Sequence, residues 1–597
     1  MPPFSMSLAD YQAIVAFLRT REWQNGEELR MGDSQKGKEL FFGTGQCSRC
    51  HMVRGQGVRL GPDLTLILNE KNPSELRVGI TQPSLGIRPN FQGIEVEFSS
   101  GKTLRGIAKN LDTFSLQLMD REETIHLLKR HQLRRVTKLR ESLMPASLLT
   151  PTEIEHVIAY IKETRSQAPE LNKHGDSAGV WKPSPNLNVS FQRLKHAADE
   201  PQNWLTYWGN YEGLHFSRLK EITPANVSGL RSQWSFQYGA GGIESSPIVV
   251  DGLMFVTGPL NNAAALDGRT GRTVWQYRRS LPEDLRKGCM VMSNRGFGVL
   301  GDRLYMATLD AHLVALDAKT GNVIWDVAVD DYRKGLSITH APLAIDGKII
   351  VGVTLAECPG VGFVDAYDAS EGKKLWRFWS VPQEGDAARS SWAGDSAKFG
   401  GAPTWMTGTY DVETDTLFWT TGNPLPTYDG SVREGDNLYS CSLLALDPKN
   451  GKLKWYFQFT PHDTHDWDAN ETPILVNGTF QGQPRKLVIQ ANRNGFYYVL
   501  DRVTGKFLLG KSYANQTWAA GLDASGRPIV RPNTDPDPVG RYVCADAFGN
   551  TNWASPSYDQ RARLFTCRFA KAVAPTVARR KIHEWASRTT AAIFEET

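Results

Sequence analysis

Five stretches of the chain share one spelling. ALDGRTGRTVW (265–275), ALDAKTGNVIW (315–325), AYDASEGKKLW (366–376) and ALDPKNGKLKW (445–455) all read Ala-x-Asp-x-x-x-Gly-x-x-x-Trp, and VLDRVTGKFLL (499–509) keeps the Asp and Gly without the Trp. The aspartates recur at about 50 residues, with one longer gap between Asp368 and Asp447. A unit of this kind is a four-stranded blade that cannot bury both of its faces alone, so the repeats predict a stacked β-propeller. The Asp and Gly would shape the turn between the outer two strands, and the Trp would dock on the next blade. Scarce helix-period runs after residue 200 and abundant Trp and Gly point the same way.

At 597 residues the chain is too long for one ordinary domain and predicts two or three. A net charge of only +4 argues against a nucleic-acid binder driven by phosphate contacts. No apolar run approaches the ~18 residues of a membrane span. The segment YQAIVAFL is short and follows no positive cluster, so it is not a secretory signal. Cys289, Cys358, Cys441, Cys544 and Cys567 are scattered, without zinc spacing.

Cys47-Ser48-Arg49-Cys50-His51 has the Cys-x-x-Cys-His spacing of covalent haem attachment. Two thiols add to the haem vinyls and the adjacent imidazole reaches the iron. The competing reading is a redox or zinc Cys-x-x-Cys beside a chance histidine. Gly61-Pro62-Asp63-Leu64 follows, and then SLMPASLLTPTEIEHVIAYIKET (142–164) places Met144-Pro145 before an amphipathic helix with Ile154, Val157, Ile158 and Ile161 on one face. Together these resemble a class I cytochrome c. The resemblance implies Met144 as sixth iron ligand, although most methionines simply fill core gaps. Residues 90–140 interrupt the pattern. IEVEFSSGKTLRGIAKN alternates around a Ser-Gly-Lys turn and predicts hairpins, similar to the small β-barrel inserted in some bacterial cytochrome c domains. MPPFSMSLADYQAIVAFLRT repeats the Met-Pro, spacer, helix order and resembles the tail of a preceding cytochrome c domain. The expectation is that the chain begins inside a longer, exported protein.

From about residue 203 to 562 the chain resembles bacterial alcohol dehydrogenases that use pyrroloquinoline quinone (PQQ), because several separate motifs agree in order. PQQ is flat and carries three carboxylates, so it requires an aromatic floor and cations. On the resemblance, Trp405 in GGAPTWMTGTYD stacks under the quinone. Arg295 in KGCMVMSNRG and Arg493 in ANRNGFYYVLD serve as the cations. Glu244 in GIESSP, Thr339 in SITHAP and Asn552 in NTNWASPSYD are polar contacts, and Thr354 joins them on a segment that departs from the usual pattern. Outside such motifs a lone Trp is core and an Arg is solvated. Glu357 in TLAECPG, Asn423 in TGNPLP and Asp466 in TPHDTHDWDAN match three metal ligands, all offering oxygen, as a hard cation demands. Asp468 adds a carboxylate where calcium-using relatives have a small neutral residue. Lanthanide-using relatives carry it, and a trivalent ion offsets crowded carboxylates better; the alternative is a solvated acidic loop. The implied chemistry has Asp466 take the alcohol's proton, hydride pass to metal-polarised PQQ, and the fused haem collect the electrons.

Two features depart from that family. Its adjacent cysteines, which form a ring above PQQ, are replaced by Cys289-Met290. Its eight blades are not completed either, since TCRFAKAVAPTVARRKIHEWASRTTAAIFEET resembles no blade. The expected organisation is therefore multidomain. It comprises a cytochrome c tail remnant (1–27), an α-helical cytochrome c domain with an inserted small β-barrel (30–166), a polar linker (167–200), an all-β propeller of the eight-bladed family, C-terminally truncated (201–566), and an atypical tail (567–597). The expected function is a periplasmic quinohaemoprotein alcohol dehydrogenase using PQQ, haem c and Ca²⁺ or a lanthanide, with an alcohol substrate and a downstream cytochrome or respiratory acceptor. The alternatives are an electron-transfer cytochrome joined to an inactive propeller, and a propeller serving only as an interaction module.

Overall fold

The computed structural model describes residues 32–69, 71–166, 187–238, 242–287, 292–568 and 574–576. The chain divides into two compact units, Met1–Asp176 with Gly229–Phe236, and Ser177–Ser228 with Gln237–Thr597. The remnant expected at 1–27 lies outside the described residues.

The first unit is built on helices α1 (Ser34–Phe42), α2 (Pro73–Thr81) and α3 (Pro151–Ser166). Helix α2 starts at a capping box in which Asn72 and Glu75 exchange side-chain and backbone hydrogen bonds. Thr150 and Glu153 do the same for α3, with Thr150 N–H donating to Glu153 Oε2 at 2.8 Å and Glu153 N–H to Thr150 Oγ1 at 3.3 Å. The apolar stripe of α3 is buried as its period requires. Ile154, Val157, Ile158 and Ile161 share a core with Phe41 of α1, Leu76 of α2, and Val53. Between α2 and α3 lie strands β1 (Gly93–Phe98), β2 (Thr103–Leu111), β3 (Ser115–Met119), β4 (Ile125–Lys129) and β5 (Leu133–Lys138), in sheet order β4-β3-β2-β1-β5. Ile94, Val96, Leu116 and Leu118 form the core of this sheet. The barrel expected here is an antiparallel sheet whose terminal strands do not pair with each other. After β4 the chain crosses over to pair β5 with β1, leaving β4 and β5 as opposite edges.

The second unit contains, among the described residues, five four-stranded antiparallel sheets, at 248–278, 298–328, 343–379, 409–458 and 474–512, each with its strands in chain order. These are propeller blades, and the repeated motif forms the turn between the third and fourth strands of each. In the first, Asp267 Oδ1 accepts the N–H groups of Arg269 (2.8 Å) and Thr270 (3.2 Å). In the second, Asp317 does the same for Lys319 (3.0 Å) and Thr320 (2.8 Å). The motif tryptophan then reaches the following blade. Trp275 Nε1 donates to Ala318 O at 3.0 Å, and Trp376 Nε1 to Pro448 O at 3.1 Å. The glycine is required for two reasons. Gly321 has φ +73°, and a Cβ there would stand 2.7 Å from the Trp275 ring.

The stretch read as a linker, 167–200, ends earlier than its composition suggests. Leu187, Val189 and Leu194 are buried, Val189 bridges to Gly301, and Arg193 ties Glu200 (2.7 Å) and Asp251 (2.6 Å) together. A few apolar residues and one ion network thus fix 187–200 to the blades despite its polar sequence. Part of the atypical tail is also structured, with Ala574–Thr576 pairing against Arg541–Val543.

The docking geometry predicts that Gly321→Ala, which adds left-handed strain and a ring clash together, destabilises the propeller by about 2 kcal/mol. The check is the urea midpoint followed by near-ultraviolet circular dichroism; an unchanged midpoint would refute this account of the turn.

Candidate functional site

In every blade the first strand begins and the second strand ends at the same edge, and the residues singled out from the sequence lie on the loops there. Glu244, Arg295, Thr339, Trp405, Asp466 and Asp468 precede first strands; Thr354, Glu357, Asn423 and Arg493 follow second strands. Asn552 stands on a later loop. Cys289 and Met290 lie outside the described residues.

On one side, Arg295 pairs with Glu244 at 2.6 Å and donates to Thr339 Oγ1 at 2.8 Å. That hydroxyl meets Thr354 Oγ1 at 2.9 Å. The Arg295 guanidinium lies 5.0 Å from the Trp405 ring centroid and 5.2 Å from that of Trp553, and Arg493 lies 5.8 Å from the Trp405 centroid. Both arginines are buried, and the Nε atom of each has no hydrogen-bond partner among the described residues. Burial pulls the Arg295 pKa down, with Glu244 opposing.

On the other side is a crowd of carboxylates. Asp468 accepts the Asn423 backbone N–H at 2.6 Å and the Trp405 indole N–H at 3.0 Å, and it pairs with Arg493 at 3.3 Å. A Cβ on Gly422 would come 2.2 Å from Asp468 Oδ1, so only glycine leaves room for that carboxylate. Asn423 Nδ2 donates to Glu357 Oε2 at 3.2 Å. Arg493 also faces Asp466 (3.8 Å) and Glu471 (3.7 Å), and it donates to Asn552 Oδ1 at 3.1 Å. Burial, then the charges of Glu357 and Asp468, raise the Asp466 pKa well above the carboxylate range. Burial likewise raises Glu357 and pushes Glu471 up to about 8. Burial works against the Arg493 charge, but Asp468, Asp466 and Glu471 outweigh it and hold its pKa up. Glu357 and Asp466 both sit in left-handed backbone, at φ 64° and 68°.

The Glu357, Asn423, Asp466 and Asp468 side chains therefore gather beside Trp405. Among the described residues no three His, Cys, Asp or Glu side chains form a self-contained cation cage. The set here relies on an amide as well, and would need oxygens from a ligand to complete it. Thr427, Tyr428, Arg433, Glu471 and Trp553 belong to the same neighbourhood and carry no sequence signature. Cys358, next to Glu357, is disulfide-bonded.

In the first unit, Cys47 and Cys50 are free and half-buried around a single 3-10 turn. His51 is buried, and its Nδ1 is 2.9 Å from Pro62 O. With Nδ1–H donating to that carbonyl, Nε2 carries the lone pair that a metal ion would take. The ring rests on Gly61, where a Cβ would come 2.5 Å from His51 Cε1. Met144 lines a cavity of about 320 Å³ with Thr81–Leu85 and Ser142.

Two family models match. One, described as glucose/ethanol/alcohol dehydrogenase, beta-propeller domain (PQQ), covers residues 204–512; the other, cytochrome c, covers 34–165. The chain belongs to the PQQ β-propeller dehydrogenase family. Among relatives, the quinoprotein alcohol dehydrogenase PedH of Pseudomonas putida is 38% identical over 404 residues, 63% of this chain and 68% of that protein. The quinohemoprotein alcohol dehydrogenase of Comamonas testosteroni is 36% identical over 391 residues, 62% of this chain and 54% of its own length. This PQQ-family chain thus spans about half the length of its quinohemoprotein relatives. Among solved structures, quinohemoprotein alcohol dehydrogenase ADHIIG of Pseudomonas putida HK5 superposes with TM-score 0.63 at 33% identity, covering 68% of this chain and 62% of that one. A europium-containing methanol dehydrogenase gives TM-score 0.61 at 31% identity, covering 63% and 69%.

The residues present fit the groups this family is named for. Two buried guanidiniums with unused N–H groups, set over an indole face, suit a flat polyanion. An all-oxygen cluster suits a hard cation, and an imidazole locked through Nδ1 beside two free thiols suits a covalently attached haem. Gly61→Ala is expected to push His51 off the Pro62 carbonyl and weaken its bond to iron. The check is a high-spin component in the absorption spectrum of the purified haem protein; an unaltered low-spin spectrum would refute the packing argument.

Proposed function

We propose that the chain oxidises a primary alcohol to an aldehyde at the blade-edge site and passes the electrons to its own cytochrome c unit. The observation that carries this reading is the convergence of Glu357, Asn423, Asp466 and Asp468 beside an indole overlaid by two buried arginines. When bound, PQQ would supply a carbonyl carbon that accepts hydride, the cation would supply Lewis acidity and keep Asp466 ionised, and haem c would supply a one-electron acceptor.

The chain's own residues do the rest. Trp405 offers a flat floor, and Arg295 and Arg493 hold anionic groups above it. Of the three carboxylates gathered with Asn423, Asp466 is the one whose side chain accepts no hydrogen bond among the described residues, so an Oδ atom is available to take the proton of the alcohol hydroxyl. Glu357, Asn423 and Asp466 offer oxygens to the cation. Asp468 adds a third carboxylate, and that crowding favours a trivalent lanthanide over Ca²⁺. His51 and Met144 would hold the haem iron. No described helix is long and apolar enough to cross a membrane. A periplasmic site belongs to the same reading, because c-type haem is attached there, with a downstream cytochrome or respiratory carrier as electron acceptor.

The test loads the purified haem protein with PQQ and either Ca²⁺ or La³⁺, adds ethanol, and follows the haem absorption. Haem reduction is expected, with Asp466→Asn slowing it by roughly 10²–10⁴-fold while PQQ stays bound. Bound PQQ with no haem reduction under either ion would leave an electron-transfer cytochrome joined to an inactive propeller.

A further inference from the structure

The loop that carries Asn423 continues through Pro424, Leu425 and Pro426 to Thr427, a buried residue whose hydroxyl meets two cluster side chains at once. It donates to Glu357 Oε2 and accepts from Asn423 Nδ2 at 3.0 Å. A hydroxyl is the smallest group that can do both, with one donor and two acceptor sites. The consequence lies in the atoms left over. Glu357 Oε2 is engaged by Thr427 and by Asn423 Nδ2. Asn423 Nδ2 is engaged by Glu357, Thr427 and Pro424 O. Glu357 Oε1 and Asn423 Oδ1 accept no hydrogen bond among the described residues. One hydroxyl therefore fixes which way round the amide lies and which carboxylate oxygen is free.

The loop is held from behind. Arg433, 0% exposed, donates to Pro426 O at 3.0 Å and to Thr427 O at 3.1 Å. It also bonds Asn437 Oδ1 at 2.7 Å and the Asp463 carbonyl, so one guanidinium joins the Asn423–Thr427 loop to the loop leading to Asp466.

We propose that Thr427 is a positioning residue for the cation: its hydroxyl, on a loop clamped by Arg433, orients Glu357 and Asn423 so that Oε1 and Oδ1 are the atoms presented to the ion. The inference rests on the cation-site reading above and goes beyond it in assigning a role outside the ligands. Removing a partner of this kind typically weakens metal affinity by roughly 10–100-fold.

The experiment titrates La³⁺, and separately Ca²⁺, into the full-length PQQ-loaded haem protein by isothermal calorimetry. The cation-induced rise in melting temperature is recorded in parallel. Thr427→Val is expected to weaken binding by roughly tenfold or more and to shrink the cation-induced rise, leaving the cation-free melting temperature close to that of the parent. Thr427→Ser, which restores the hydroxyl, is expected to recover the parent affinity. Should the valine variant fail to fold, Thr427→Ala removes the hydroxyl without a branched side chain and carries the same expectation. Parent-like affinity in the hydroxyl-free variant would overturn the proposal, as would a serine variant as weak as the valine one, since packing would then be the cause. A parent protein that binds neither ion would overturn the cation-site reading itself, a result distinguishable from failure of the Thr427 assignment alone.

Discussion

An indole laid across the glycine of the next turn recurs from Trp275 on Gly321, through Trp325 on Gly372 and Trp376 on Gly451, to Trp455 on Gly505, and this contact sets the spacing between blades. A fully docked tryptophan such as Trp275 removes ~150–250 Å² from water, worth about 4 to 6 kcal/mol as an upper figure. A side chain added at the glycine would lift the ring and move one blade against the next. The blade-edge loops would move with it, and those loops carry the candidate site residues of the second unit other than Asn552. The separation of Glu357 from Asn423, or of Trp405 from Arg493, is thus decided at the outer turns before the loops contribute anything.

The loops then hold an arrangement that ordinary folding would avoid. A buried pair elsewhere in the same unit shows the ordinary balance: Arg502 faces Asp411 at 2.8 Å with both side chains almost wholly buried. At the candidate site one guanidinium, Arg493, serves Asp466, Asp468 and Glu471, with Glu357 adjoining. Desolvating each ion costs several kcal/mol, and one cation does not offset that for so many anions. The raised pKa values of Glu357, Asp466 and Glu471 express the deficit as a demand for protons. A metal cation meets the same demand while leaving the carboxylates ionised. Left-handed backbone at both Glu357 and Asp466 adds of order 1–3 kcal/mol each.

Much of this was written in the sequence. The Asp-Gly-Trp repeat named the blade turns and assigned the tryptophan to the next blade, because turn and ring fall within eleven residues; the glycine under each ring belongs to the following repeat and showed only in the structure. The stripe on α3 and the Cys-x-x-Cys-His spacing were legible for the same local reason. The blade-edge site was legible only through family resemblance, since Glu357, Asn423 and Asp466 come from separate loops and no period links them. Thr427, Arg433 and Glu471 were invisible for a further reason: their importance lies in which atoms they leave free, and a residue string does not encode that. The reading of 187–200 as linker failed because its composition is polar, while its anchoring depends on Leu187, Val189 and Leu194 and on Arg193 meeting an aspartate 58 positions away.

Asp468 connects these levels. Its two oxygens are divided between the Asn423 backbone N–H on one side and the Trp405 indole with Arg493 on the other. It is therefore attached at once to the loop of a metal-ligand candidate and to the aromatic floor. A cation drawing on Asp468 would have to share oxygens already committed to those donors. The ion with the higher charge density would polarise the carboxylate more strongly and weaken its hold on the indole and the guanidinium together. On the proposed reading, the identity of the cation would be coupled, through one carboxylate, to the position of the ring on which a flat ligand would lie. A change of ion would then alter how the cofactor is seated as well as how strongly its carbonyl is polarised.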